Sequence, residues 1–316
     1  MGLEMVKTIG VLLAAYNGEA YLPEQLASLR SQDDPAFTVI MQDDGSSDHT
    51  PDILSELVQA DGRFRLGCES GRHLGAIGNF LSLLGQDTSD YSALCDQDDL
   101  WEPNRLSRCR EALEAAEARY GAETPLLVHS DSRVMDVHGH ILHDSFFEHQ
   151  GWDSSAVSLR RLMVQNNVTG CTLMINASLR RLIVAHAGAD EMHMHDWFIA
   201  MTAAAFGHII FLSEPLVRYR QHGDNVKGAS RDTLSRRGVQ ALSRWQKGKA
   251  RIALTYRNAA GFLRAYGGEL PPSAQRDLKD YLATESMGKL RRVAAVRHGG
   301  YTMQSRITRI GQLLFG

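Results

Sequence analysis

Tyr91-Ser92-Ala93-Leu94-Cys95-Asp96-Gln97-Asp98-Asp99-Leu100-Trp101-Glu102-Pro103 is the stretch on which the fold reading turns. Tyr91 to Cys95 is an apolar run of strand length, and three carboxylates follow it within four positions, where that strand must end. Like charges held together repel, so the cluster costs stability unless a cation sits among them. Hard oxygen ligands at a strand end suit Mg²⁺ or Mn²⁺, ions whose coordination substrate phosphates commonly complete. The stretch also reads as a solvated acidic turn capping the helix that starts at Pro103.

The flanking segments favour the first reading. Thr8 to Ala14 is a continuous apolar run, as a strand buried on both faces must be. Leu22, Leu26 and Leu29 recur at helical spacing behind Pro23, which the first helical turn tolerates. Phe37 to Met41 predicts the next strand, and Ile53, Leu54, Leu57 and Val58 form the apolar face of a helix starting near Thr50-Pro51. Phe64 to Leu66 and Leu126 to His129 read as strands; Gly75 to Leu84 and Pro103 to Tyr120 read as helices. Such alternation predicts an α/β fold: a Rossmann-like, mostly parallel central sheet with helices on both faces. Ligands of such sheets bind at the carboxyl ends of the strands. Three polar clusters fall there: Tyr16 to Glu19, Gln42 to Ser47 and Asp96 to Asp99. Cys171 to Ile175 predicts a further strand and His195 to Phe206 a further helix.

Charge divides the chain of 316 residues unevenly. Residues 1–230 hold 17 Lys+Arg against 32 Asp+Glu, a net of −15, and residues 231–316 hold 17 against 5, a net of +12. This places a boundary near residue 230, between a catalytic domain over 1–230 and a basic helical C-terminal region over 231–316. That region mixes Arg and Lys with Leu, Ile, Trp and Tyr, which suits an anionic membrane surface; it also reads as a helical cap with a solvated basic face. The acidic body argues against nucleic acid as a partner. No long apolar run opens the chain, and the four cysteines form no CxxC pair, so a cytoplasmic protein with reduced thiols is expected. Rossmann dinucleotide and P-loop readings lack their motifs, G-x-G-x-x-G after the first strand and GxxxxGK[ST].

Four clusters in order, Leu13-Ala14-Ala15-Tyr16-Asn17-Gly18, Asp43-Asp44-Gly45-Ser46-Ser47-Asp48-His49-Thr50, Asp96-Gln97-Asp98-Asp99-Leu100-Trp101-Glu102-Pro103 and His195-Asp196-Trp197, resemble glycosyltransferase family 2. The resemblance covers about residues 8–225 and implies the GT-A fold and inversion at the anomeric centre. Tyr219-Arg220-Gln221-His222-Gly223-Asp224-Asn225-Val226 resembles the bacterial rhamnosyltransferase-like branch, which builds O-antigen, capsule and lipopolysaccharide core.

The resemblance implies a role for each matching residue. Asp44 would bind a pyrimidine base, with Asp43, Ala15, Tyr16, Asn17 and Glu19 beside it and Asn79 facing the donor. Asp98 would ligate Mg²⁺ or Mn²⁺, with Asp96 contacting ribose, sugar or metal and Asp99 in support. Asp196 would be the catalytic base; members often carry Glu-Asp where this chain has His195-Asp196. Arg220, His222 and Lys227 would stabilise the leaving diphosphate. The chemistry accounts for these residue types. An acceptor hydroxyl ionises far above neutrality, so a positioned carboxylate must take its proton in the transition state. A departing nucleoside diphosphate gathers negative charge that a cation and basic groups offset. Phe146, Phe147 and Trp152 read either as a sugar-stacking surface or as core.

The implied function is transfer of a sugar from a nucleotide sugar, dTDP-rhamnose first and a UDP-hexose second, to a saccharide or lipid-linked acceptor. Two other classes fit parts of the pattern: a nucleotide-sugar binding protein without catalysis, and a metal-dependent phosphohydrolase or nucleotidyltransferase. Neither gives a place to Asp196 or to residues 219–227.

Overall fold

The computed structural model describes residues 6–68, 73–186, 188, 193–222 and 239–315. The first half alternates as the sequence predicts: β1 (Ile9–Ala15), α1 (Leu22–Arg30), β2 (Phe37–Asp43), α2 (Thr50–Ala60), β3 (Phe64–Leu66), α3 (Gly75–Gln86), β4 (Tyr91–Asp96), the short β5 (Leu100–Trp101) and α4 (Arg105–Tyr120). β6 (Leu126–Met135), β7 (Ile141–His143), α5 (Phe146–Gln150), α6 (Leu159–Leu162), β8 (Leu173–Asn176), α7 (Ala177–His186), α8 (His195–Phe206) and β9 (His208–Arg220) follow. The tail forms α9 (Val239–Tyr266), α10 (Pro272–Ala283), α11 (Lys289–His298) and α12 (Arg306–Phe315).

One mixed sheet runs in the order β3-β2-β1-β4-β8-β6-β9-β5, with β7 paired to β6. β1 to β4 pair in parallel; β8 joins antiparallel to β4 and to β6, while β6 and β9 pair in parallel. β6 continues six residues past the predicted Leu126 to His129, bending through register shifts against β9 at Ser130–Ser132. Those shifts curl the sheet and carry the end of β9 back over the carboxyl end of β4.

Side chains of β1 alternate between two cores, as the period of a strand demands. Val11 and Leu13 pack with α1, α2 and α4 on one face; Leu12 packs with α3, α7 and α8 on the other. α8 is buried from Trp197 through Ala203 without interruption, because it lies between the sheet and the tail. Phe262 of α9 meets Phe198 of α8 edge-on at 5.4 Å, and the Tyr266 hydroxyl bonds Thr202 Oγ1 at 2.9 Å. Leu12, Ile40 and Leu94 of the sheet share one continuous core with Tyr256, Phe262, Leu278 and Val296 of the tail. Burying each such side chain contributes about 1.5–3 kcal/mol. The stretch around residue 230 lies outside the described residues.

Candidate active site

Two loops at the carboxyl end of the sheet are tied to each other through side chains. Asn17 takes a left-handed backbone (φ 48°), which asparagine tolerates, and its Oδ1 accepts from the Ser47 amide at 2.8 Å. Ser46 Oγ accepts from the Asn17 amide, Asp48 from the Glu19 amide, and Glu19 from the His49 amide, at 2.8–3.0 Å. Asn17 and Glu19 therefore hold the two loops together. The Ala15 carbonyl accepts from the Asp44 amide (2.9 Å). Tyr16 stands 46 % exposed beside the His73 ring, centroids 4.6 Å apart, and offers a flat surface to a planar ligand.

Asp43 and Asp44 are less available than the resemblance implies. Asp43 accepts from the Gly45 and Ser46 amides and from the Ser46 hydroxyl, the pattern of a turn-forming aspartate. Asp44 is buried, and its two oxygens accept from the amides of Leu74 (2.6 Å) and Gly75 (2.7 Å) at the start of α3. Helix starts leave such amides unpaired, and an aspartate is a strong acceptor for them. The expected base-binding carboxylate thus caps a helix, and His73 Nδ1 lies 3.0 Å from its Oδ2 as well. Asn79 is 2 % exposed; its amide donates to the Gln42 carbonyl, and its Oδ1 has no partner among the described residues.

The acid cluster separates by burial. Asp99 is 1 % exposed and accepts from the Arg220 amide at 2.9 Å; burial and then Asp98 and Asp96 hold its carboxyl well above the usual range. One oxygen each of Asp96 and Asp99 and the Cys171 sulfur lie within 4.8 Å of one another. Burial, then Asp98 and Asp196, push Asp96 up to about 7. Asp98 is half-buried, with Oδ2 2.6 Å from His222 Nε2. Behind the cluster lies Arg105, fully buried, donating to the Cys171 carbonyl (2.7 Å) over the Trp101 ring and drawing the Asp96 carboxyl downward. One guanidinium does not balance three carboxylates. A divalent cation at this loop would relieve the like-charge repulsion that adds to burial in raising Asp96. The loop offers oxygens of Asp96 and Asp99 within 4.8 Å of each other and Asp98 Oδ2 2.6 Å from His222 Nε2, donors that fit one. Asp99 also braces this loop by accepting from the Arg220 amide.

Arg220 does not reach toward a diphosphate. It is 1 % exposed, and its guanidinium donates to the Asp98 carbonyl (2.8 Å), the Val137 carbonyl (2.9 Å) and Glu24 (2.6 Å). Buried charge survives only when so paired, and Arg220 brackets the acid loop instead. His222 sits on Asp98, its Nε2 2.6 Å from Oδ2. Lys227 lies outside the described residues.

Asp196 enters from a distant part of the chain, in the first turn of α8. It packs beside Gly170, whose neighbour Cys171 has its sulfur within 4.8 Å of an oxygen of Asp96 and of Asp99, and its charge adds, after burial and Asp98, to the rise of Asp96. Its neighbour His195 is buried against Phe80, ring centroids 4.3 Å apart. A Cβ on Gly170 would stand 3.0 Å from His195 Nε2, a tight contact, and 3.6 Å from Asp196 Cβ, an ordinary one, so the turn before β8 packs closely against this helix start. A carboxylate at the mouth of an acid loop, on a separate helix, can take a proton from a nucleophile directed at a group held by that loop.

Residues 10–180 match the model of the family described as Glycosyl transferase family 2. The chain belongs to glycosyl transferase family 2. Membership makes it a glycosyltransferase that takes its sugar from a nucleotide sugar. It is 26 % identical over 231 residues to the dTDP-rhamnosyl transferase RfbG of Shigella flexneri, covering 69 % of this chain and 74 % of the relative. It is 28 % identical over 225 residues to the putative glycosyltransferase EpsH of Bacillus subtilis strain 168, covering 69 % and 62 %. Among solved structures it resembles residues 1–349 of S. aureus TarS in complex with UDP-GlcNAc, with TM-score 0.55, 15 % identity and coverage of 98 % and 89 %. The mannosyltransferase PcManGT from Pyrobaculum calidifontis, in complex with GDP-Man and Mn²⁺, matches with TM-score 0.55 at 14 % identity, covering 100 % and 88 %. These likenesses carry the GT-A fold.

Three contributors to this glycosyltransferase site are not singled out by sequence reasoning. Gln97, between the paired aspartates, grips the Tyr16 backbone from both sides (2.7 and 2.9 Å) and fills the space that a Cβ on Gly18 would occupy. Glu24 and Arg105 supply the partners described above. Arg105 signals itself only as a charge on the buried face of α4, and Glu24 is an exposed charge without a sequence signal. The aromatic run resolves toward packing: Phe146 and Phe147 are buried, Trp152 meets both edge-on, and Asp131 caps their short helix.

Proposed function

We propose that this glycosyltransferase inverts the anomeric centre of its donor sugar, with Asp196 as the base and a divalent cation held by Asp98, Asp96 and His222. The observation that carries the reading is the Asp196 helix start packed against Gly170, the residue next to Cys171, whose sulfur lies within 4.8 Å of Asp96 and Asp99. Tyr16 and the loops fixed by Asn17, Glu19, Asp43 and Gln97 form the donor side. Asp196 takes the proton of the acceptor hydroxyl as its oxygen attacks from the face opposite the leaving group; a single base suffices for one displacement. The bound cation supplies charge stabilisation of the departing diphosphate. A mixed carboxylate and imidazole set favours Mn²⁺ over Mg²⁺, which prefers oxygen ligands alone.

The donor we propose is dTDP-rhamnose, with a UDP-hexose second, and the acceptor a saccharide or lipid-linked saccharide of a bacterial surface polysaccharide. The likeness to the dTDP-rhamnosyl transferase over most of the chain supports the first choice. We place the catalytic domain in residues 1–230 and assign the basic region after it to an anionic membrane surface. No helix among the described residues is long and apolar enough to cross a membrane. From Met287 to Gly316 the chain carries six Lys+Arg and no Asp or Glu, and Leu290 stands 87 % exposed between Lys289 and Arg291.

The test is a panel of dTDP-, UDP- and GDP-sugars with Mn²⁺ and saccharide acceptors, read by product mass and anomeric configuration. Asp196→Asn should lower kcat by about 10²–10⁴-fold while donor binding persists. A retained anomeric configuration, or full turnover by Asp196→Asn, would refute the assignment of the base; full turnover in excess EDTA would refute the cation.

A further inference from the structure

Tyr21, at the N-terminal end of α1, touches two of the groups that hold the acid loop. Its ring stacks on the His222 imidazole, centroids 5.0 Å apart and planes 22° from parallel. The Arg220 guanidinium lies 4.9 Å from the same ring. His222 in turn sits 2.6 Å from Asp98 Oδ2, and Arg220 donates to the Asp98 carbonyl at 2.8 Å. Tyr21, His222, Asp98 and Arg220 therefore close a cycle joining the start of α1, the acid loop and the end of β9. Tyr21 is itself fixed to the donor-side loop, since the amides of Tyr21 and Leu22 donate to the Gly18 carbonyl at 3.1 and 2.9 Å. Its hydroxyl has no hydrogen bond among the described residues, so the ring alone makes these contacts.

We propose that Tyr21 is a positioning residue for the divalent cation, its ring holding His222 and Arg220 in the register that presents Asp98 and His222 together. This rests on the proposed cation set. The physical reason is preorganisation: a stacked imidazole pays its rotamer entropy before the ligand arrives. His222 lies just beyond the end of β9, and the Tyr21 ring beneath it and Asp98 beside it both bear on its orientation. Aromatic pairs of this kind are worth about two- to tenfold in an equilibrium constant.

The experiment measures Mn²⁺ binding to the full chain by the loss of the free-ion paramagnetic resonance signal, together with melting curves and transfer kinetics. Tyr21→Phe keeps the ring and should bind as the parent does. Tyr21→Leu and Tyr21→Gln should bind about two- to tenfold more weakly with an unchanged melt, and saturating Mn²⁺ should restore kcat. Asp98→Ala and His222→Ala should bind far more weakly than either. Parental Mn²⁺ affinity in either folded Tyr21 variant, with His222→Ala impaired, overturns the role of Tyr21 and leaves the cation set standing. Weakened binding in Tyr21→Phe overturns the role of the ring. Parental affinity in Asp98→Ala and His222→Ala overturns the cation set and the proposal together.

Discussion

His129 makes the folded state sensitive to acid. It sits on β6 with no exposed surface, in register with Leu173 of β8 and Phe211 of β9. The Phe211 and Phe147 rings lie 5.1 and 5.9 Å from its own, and neither ring nitrogen has a partner among the described residues. Burial pulls the imidazole from 6.5 down to about 3. Between those values the unfolded chain binds a proton that the folded chain refuses, so stability rises with pH. The contribution is fully present above about pH 6.5 and is lost as pH falls toward 3. At about 1.4 kcal/mol per tenfold in proton concentration, pH 4.5 costs about 3 kcal/mol, a large share of an ordinary 5–15 kcal/mol. His129→Leu removes the titration and the unpaired N–H at little change in volume. Urea unfolding of parent and variant at pH 7.5 and 4.5 is the assay. The variant should match or exceed the parent at pH 7.5, and its advantage should grow by about 3 kcal/mol at pH 4.5. Carboxylates such as Asp61 and Glu102 titrate in both proteins and cancel in the difference. Parallel stability curves across this range would refute the argument.

Asp44→Asn should lower the urea midpoint by an amount equivalent to about 1–3 kcal/mol, because the amides of Leu74 and Gly75 lose a charged acceptor; an unchanged midpoint with weaker donor binding would return Asp44 to nucleobase recognition alone. Gly170→Ala should reduce kcat by up to about a hundredfold with donor KM unchanged, since its Cβ presses on His195 and the Asp196 helix start; steady-state kinetics decide it. Leu290→Glu combined with Arg291→Glu and Arg297→Glu should abolish low-salt sedimentation with phosphatidylglycerol vesicles while leaving transfer to a soluble acceptor intact, each basic group contributing about 1 kcal/mol at an anionic surface. Deleting residues 231–316 should instead yield aggregated protein, because Tyr256, Phe262 and Tyr281 cover the same core as Leu12 and Leu94; size-exclusion chromatography reports it.

The local order of this fold was legible in the chain. β1 reads as a strand buried on both faces because Ile9 to Ala15 is apolar throughout, and α8 runs from His195 to Phe206 as its pattern predicts. The acid loop announces itself, since three carboxylates at a strand end have no other economical explanation than a cation or an exposed turn. Those readings rest on periodicity and composition, which are properties of neighbouring residues. Which carboxylate does what is not such a property. Asp44 looks the same in the chain whether it faces a nucleobase or caps α3; the choice depends on where Leu74 and Gly75 fall. Arg220 reads as a cation for a diphosphate, and only the burial created by the curl of β6 and β9 turns it into a bracket on the acid loop. Asp196, a hundred positions from Asp96, is brought to the acid loop because β8 pairs antiparallel with β4 and the turn before it packs Gly170 against the start of α8 and Cys171 against Asp96. The chain determines each element through interactions a few residues long; burial and the approach of distant charges are settled only when the sheet closes, because desolvation depends on everything that surrounds a group.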